Sequence, residues 1–220
     1  MAMLALRALG ALLSYPRPEL RQALPEIAAV LHDCRSIPAP DRAALQRLLD
    51  ELAAMDQLDV EERYVDLFDR GRATSLNLFE HLHGDARDRG QAMVELKELY
   101  DRAGFSLNTP ELPDHLPVLL EYLSCRETAE IRDMLGDCAH ILRQIGEALL
   151  KRESRYAAVL QAVLVIAGAA PLDPLHAAKR PPERIDLDRD WSERPAFDPD
   201  AAILAADRPV ALPRMPGSKP

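Results

Sequence analysis

Glycine is scarce in this 220-residue chain, at 9, and aromatic residues are only 5% of it. Alanine, leucine, arginine and glutamate dominate instead, a composition that favours helices over strands. Cysteine is rarer still: Cys34, Cys125 and Cys138 are the whole set. Their spacing is too wide for a CxxC metal or redox pair, and an odd count argues against a disulfide framework. The economical reading is three small, buried apolar side chains. Long apolar runs are missing as well. Met1 to Leu13 is too short to span a membrane and lacks a basic leading region and a small-residue cleavage site. Ala157 to Ala170 is about one core helix long. No membrane insertion is expected, and the cytoplasm is the expected compartment. An excess of positive charge is also absent. The net charge is -9 and the pI about 5.2, which repels phosphate backbones and anionic lipid and makes nucleic acid a poor partner.

What is present is helical periodicity. Leu20, Leu24, Ile27, Leu31 and Cys34 share one helix face, with Pro18 in the first turn. Leu45, Leu48, Leu49, Leu52 and Met55 form a second stripe, which Asp41 can cap. Val60, Tyr64, Leu67 and Phe68 form a third, which Asp59 can cap. Arg70 to Asp88 is less regular, with a helical turn expected near Ser75 to His83. Helical spacing returns at Met93 and stops at Gly104. After the turn at Asn108 to Pro113, Asp114 can cap a helix carrying Leu116, Leu119, Leu120 and Leu123. Pro117 is tolerated there, because first-turn amides lack intrahelical acceptors. One long helix is expected from Ile131 to Leu149, and a last from about Ser154 to Gly168. The expected fold is therefore all-α: a single helical domain over residues 1–170 and a Pro-rich tail over 171–220. That tail holds ten of the 18 prolines and lacks a sustained apolar face. Trp191, Phe197 and the Ile203–Leu204 pair are its candidate anchors.

Catalytic signatures are missing: no Walker loop, GxGxxG, GxSxG or HExxH occurs. His81 and His83 flank a helix end near Glu80, but an offset of two puts them on different helix faces, so no metal site is assigned. Asp66, Asp69, Asp85 and Asp88 crowd the same stretch as Arg70, Arg72, Arg87 and Arg89. They read as an ion-pair network tying down a loop, or as a surface that reads a polar peptide. Asp114–His115 is a helix start, or a carboxylate and an imidazole at a groove edge. Neither an enzyme nor a cofactor of its own is expected; a binding protein is.

At Glu62-Arg63-Tyr64-Val65-Asp66-Leu67-Phe68 the chain resembles the E-Y-x-x-L-F signature of the TorD/DmsD/NarJ redox-enzyme chaperones, with Arg63 intervening before the tyrosine. The stretches Asp66 to Leu76, Leu78 to Met93 and Glu111 to Leu123 resemble the NarJ branch, as does Leu12-Leu13-Ser14-Tyr15-Pro16. The resemblance covers roughly residues 4 to 170. It implies a TorD-like helical domain that serves as an assembly chaperone for the catalytic subunit of respiratory nitrate reductase. Such a chaperone binds the N-terminus of the catalytic (alpha) subunit and holds the apoenzyme for molybdenum cofactor and iron–sulfur insertion before membrane docking. Molybdenum cofactor biosynthesis proteins are implied as further partners. A chaperone for a dimethyl sulfoxide or trimethylamine N-oxide reductase, or a helical adapter without a maturation role, stays as the alternative. The residues assigned to the peptide are Tyr64, Leu67, Phe68, Glu80, His83, Asp114, His115 and Glu121. For Tyr64, Leu67 and Phe68, a plain core role stays open. The tail is expected to be dispensable for peptide binding.

Overall fold

The apolar N-terminal run becomes helix α1 (Ala2–Leu13), and it lies inside the protein: Leu6, Leu9, Leu12 and Leu13 are fully buried. The coordinates are a computed structural model that describes residues 2–82 and 86–173. Helices α2 (Pro18–Asp33), α3 (Ala39–Ala54) and α4 (Gln57–Phe68) follow, then a 3-10 turn at Arg72–Thr74. A short α5 (Phe79–Leu82) precedes α6 (Ala86–Arg102) and α7 (Leu116–Leu123). The series ends with α8 (Thr128–Asp137), α9 (Ala139–Lys151) and α10 (Ala157–Ala167). Among the described residues there is no strand, only an isolated antiparallel bridge between Asn77 and His115. The all-α expectation holds. No helix among those residues is long and apolar enough to cross a membrane.

The most apolar helix sits at the centre. α10 is buried on nearly every side and packs against α9, α3, α8 and α1. A helix apolar all round must be covered all round, and the stripes of its neighbours do so: Leu45 and Leu48 from α3, Ile131 and Leu135 from α8, Ile141, Leu142, Ile145 and Leu149 from α9. Gly168, at φ 74°, ends α10 in the left-handed conformation that glycine adopts at least cost. α1 packs on α7 at Gly10, where a Cβ would stand 3.3 Å from the Pro117 carbonyl oxygen, so the small residue permits the close approach.

Four sequence expectations need correction. The single helix from Ile131 to Leu149 is two helices broken at Cys138. Run straight from Thr128 to Lys151 it would extend about 36 Å; the break lets both halves contact α10. Asp41 and Asp59 lie inside the first turns of α3 and α4, where they favour the helix dipole, while Pro38 and Asp56 hold the cap positions. Asp114 does not cap α7, because His115 occupies that position. Cys34 is buried and Cys138 partly so, but Cys125 is exposed. After α10 the chain stays on the body to Leu172. Its amide donates to Gln161 Oε1 at 2.8 Å, and its side chain covers Gly146. The tail anchors Trp191, Phe197, Ile203 and Leu204 lie outside the described residues.

Candidate peptide-binding face

The signature residues of α4 point inward. Tyr64, Leu67 and Phe68 are buried because the three-and-four spacing puts them on one helix face, turned to the end of α1 and to Tyr156. Tyr64 donates its hydroxyl to the Leu13 carbonyl at 2.8 Å. Its ring lies 4.9 Å from Phe68, and Phe68 meets Tyr156 edge-on at 5.2 Å. Burial holds the Tyr64 phenol well above its ordinary pKa. The free carbonyls at the end of α4 are satisfied from far away in sequence: Arg152 donates to the Asp66 oxygen at 2.7 Å and to the Leu67 oxygen at 3.3 Å. The column reaches the surface at Tyr15, whose ring stands 5.6 Å from Tyr64 and which is 43% exposed. Tyr15 donates to Glu61 Oε2 at 3.0 Å.

The Asp114–His115 pair lies where two extended stretches cross. Leu78 donates its amide to the Asp114 carbonyl at 3.1 Å, and Leu116 donates to the Leu76 carbonyl at 2.8 Å. Asp114 is fully buried, and its Oδ2 accepts the Phe79 amide at 2.9 Å. It thus caps α5, 35 residues earlier in the chain. Its Oδ1 has no donor. Burial raises the Asp114 pKa, opposed by the Phe79 amide, by Arg89 and by its own backbone amide, and reinforced by Glu80. The His115 side chain is only 12% exposed, with Nδ1 3.8 Å from Glu111 Oε2 and no hydrogen-bond partner on that nitrogen. Burial lowers its pKa, against the pull of Glu111 and Asp69. The Asp69 pKa is raised by burial and by Glu111.

Folding therefore brings together the end of α4 and the start of α7, two of the blocks that carry the resemblance. Asp69 also acts on the charge of Tyr15 and Tyr64, and Glu111 on that of Tyr64. Asp69, Glu111 and His115 consequently share one neighbourhood with Tyr15. Leu112, which is exposed, adjoins them, and its carbonyl accepts the His115 amide at 3.0 Å. Three arginines nearby are turned elsewhere, Arg70 to Asp66 at 2.6 Å, Arg72 to the Glu80 carbonyl, and Arg152 to α4, while Arg17 acts on Tyr15. Glu80 pairs with Arg89 at 3.2 Å. Of the expected ion-pair network, Arg70–Asp66 is formed as named, while Arg89 takes Glu80 in place of an aspartate and Arg72 takes a backbone carbonyl. Glu121 stands exposed on the outer side of α7. His83 lies outside the described residues.

His81 Nε2 lies 2.9 Å from the Ser75 carbonyl, so its ring is held by the backbone. No group of three His, Cys, Asp or Glu among the described residues could hold a metal ion. A hollow of about 300 Å³ between α2 and α3, walled by Ala28, Leu31, Ala43 and Leu49, shares no residue with this face. Sequence reasoning did not single out Tyr15, Glu111 or Arg152, and it read Glu61 with Glu62 as a solvated face or a cap charge. Glu111 and Tyr15 stood inside quoted blocks. Nothing in the local pattern marks Arg152, because its partners lie more than 80 residues away.

Residues 34–162 match the family model described as nitrate reductase delta subunit. The chain is 43% identical over 196 residues to the nitrate reductase molybdenum cofactor assembly chaperone NarJ of Escherichia coli K12, covering 87% of this chain and 83% of that protein. It is 35% identical over 193 residues to the probable chaperone NarW of the same organism, covering 86% and 80%. A probable NarJ of Bacillus subtilis 168 is 31% identical over 157 residues, covering 71% and 84%. All three relatives are named as assembly chaperones rather than catalysts.

Proposed function

The chain belongs to the nitrate reductase delta subunit family, and from that membership we propose that it is a dedicated assembly chaperone for the catalytic subunit of a respiratory nitrate reductase. It acts in the cytoplasm and binds the N-terminal region of that subunit. It holds the apoenzyme while molybdenum cofactor and iron–sulfur cluster are inserted, before the enzyme docks at the membrane. Molybdenum cofactor biosynthesis proteins meet the complex at that stage. The cofactor is cargo of the partner, so the chaperone needs none of its own.

The observation that carries this reading is the surface around His115. The Glu111 carboxylate raises the cost of ionising Asp69 beside exposed Tyr15 and Leu112, while Arg70, Arg72 and Arg152 engage other partners. Such a face suits a segment with basic and apolar residues: the carboxylates favour its cations, and apolar contact contributes about 25 cal/mol per Å² removed from water. Tyr64, Leu67 and Phe68 support the face from beneath. Glu80, Asp114 and His115 extend it along the crossing, and Glu121 lies beyond it on α7; His83 is assigned to the peptide by the resemblance alone.

A pull-down from cells respiring nitrate, with the partner's N-terminus identified and its metal measured, tests the proposal. Recovery of the nitrate reductase catalytic subunit with less molybdenum than the membrane enzyme is expected. Recovery of a dimethyl sulfoxide or trimethylamine N-oxide reductase would redirect the assignment. A fully loaded partner would mark an adapter without a maturation role.

A further inference from the structure

Tyr15 presents an exposed ring that does not hang free. It lies in the short connection between α1 and α2, 43% exposed, yet it is held at several points. Its ring meets that of Tyr64 edge to face, with centroids 5.6 Å apart. Its hydroxyl donates to Glu61 Oε2 at 3.0 Å. Its carbonyl accepts the Arg17 amide at 2.8 Å. The carbonyl of the next residue, Pro16, accepts Gln57 Nε2 at 2.5 Å, and the same nitrogen donates to Glu61 Oε1 at 2.6 Å. The Glu61 carboxylate thus gives one oxygen to Tyr15 and the other to Gln57, and the hydrogen bonds close a loop through Pro16 back to Tyr15. Gln57 and Glu61 are four residues apart, so one stripe of α4 grips both the side chain of Tyr15 and the backbone beside it.

Stability is a poor account of this loop of bonds. Gln57 and Glu61 are only half-buried and Tyr15 is exposed, so water would satisfy the same polar atoms and the exchange contributes little. What the bonds add is direction. An exposed tyrosine ordinarily samples several rotamers, whereas this one is confined between Tyr64 and Glu61. Its hydroxyl is already engaged, so the part left for a partner is the apolar ring.

We propose that Glu61, braced by Gln57, is a positioning residue that holds the Tyr15 ring as a rigid contact for an apolar side chain of the bound segment. This rests on the peptide-binding reading above. A tyrosine ring supplies a large contact area with few torsions to freeze, and fixing it beforehand removes an ordering cost from binding. Glu61 acts through Tyr15 and not by drawing the cations of the segment.

The test is a double-mutant cycle, read by calorimetric titration of the full chain with a synthetic peptide of the catalytic subunit's N-terminal residues. Tyr15→Ala should weaken binding about 10-fold. Glu61→Ala leaves the ring but releases it, and should weaken binding about 2–10-fold. Glu61→Gln keeps an acceptor for the Tyr15 hydroxyl and should recover most of that loss. In the Tyr15→Ala background, Glu61→Ala should change nothing further, because the ring it positions has gone. Far-ultraviolet circular dichroism checks that each variant is folded. If Glu61→Ala weakens binding equally in both backgrounds, or Glu61→Gln loses as much as Glu61→Ala, Glu61 meets the peptide by its charge and the positioning role is wrong. It is equally wrong if Tyr15→Ala or Glu61→Ala leaves the affinity unchanged. In each of these cases the chaperone reading stands. If the unsubstituted protein does not bind the peptide, the peptide-binding reading fails and takes the positioning role with it.

Discussion

The aromatic column under α4 and the crossing at Asp114–His115 are both buried, yet they treat their polar atoms differently. In the column the Tyr64 hydroxyl is bonded to Leu13 and the last carbonyls of α4 are bonded to Arg152; the neutral Tyr156 hydroxyl is left without a partner. At the crossing the unpartnered atoms belong to ionisable groups, Asp114 Oδ1 and His115 Nδ1. An unmet neutral hydroxyl is a modest loss, whereas an unmet carboxylate or imidazole in a low-dielectric site is a strong pull on any incoming donor or charge. The column is arranged for stability. The crossing keeps bonding capacity in reserve, as expected of a surface that completes itself by binding.

The contrast can be broken at either region. Phe68→Ala should cost about 3–5 kcal/mol through cavity formation between Tyr64 and Tyr156. In chemical denaturation the midpoint should fall, while the folded fraction keeps its peptide affinity; loss of affinity at unchanged stability would move the column into the site. Asp114→Ala removes the acceptor of the Phe79 amide and should cost about 1–3 kcal/mol together with much of the binding. Asp114→Asn keeps the acceptor and should leave the midpoint nearly in place while weakening binding; equal loss of stability in both variants would reduce Asp114 to a cap of α5. Tyr64→Phe deletes one hydrogen bond to Leu13 and should cost about 1 kcal/mol, with calorimetric affinity unchanged.

The smallest effect concerns pH. The native state lowers the His115 pKa by burial, so it favours the neutral imidazole. Stability linked to this group is complete above the ordinary histidine pKa of about 6.5 and is lost as pH falls below that value. A basic peptide also prefers the neutral ring. Affinity should therefore be flat above about pH 6.5 and decline several-fold below it. His115→Gln should remove that decline in a titration series. A rise on acidification that His115→Gln abolishes would make the imidazolium itself a peptide contact. Asp69 and Glu111 act on the same ring, and protonation of Asp69, whose pKa is raised, adds to the decline at lower pH.

The spacing of apolar residues was enough to place most helices. Leu45, Leu48, Leu49 and Leu52 on α3, or Ile141, Leu142, Ile145 and Leu149 on α9, are local patterns that any packed helix must show. Helix boundaries were less legible. Asp41, Asp59 and Asp114 each looked like caps because each has the right chemistry near a helix start, but cap positions are fixed by backbone direction. The break at Cys138 carries no proline, and it becomes necessary only once α10 is there to be covered from two sides. Of the site, Asp114 and His115 were visible as a pair, and Tyr64, Leu67 and Phe68 as one face. Their companions Tyr15, Asp69, Glu111 and Arg89 had no periodicity to betray them.

By itself, then, the sequence determined helical class, acidic character, the want of catalytic motifs, and the family blocks. All of these are written in composition and near-neighbour spacing. Only the tertiary structure decided that Asp114 caps a helix 35 residues earlier, that Arg152 closes α4 from more than 80 residues away, and that the α4 and α7 blocks meet around His115. Those are contacts between distant segments, set by which apolar faces must share one core, and burial rather than residue type then fixes whether a polar atom is satisfied or left waiting.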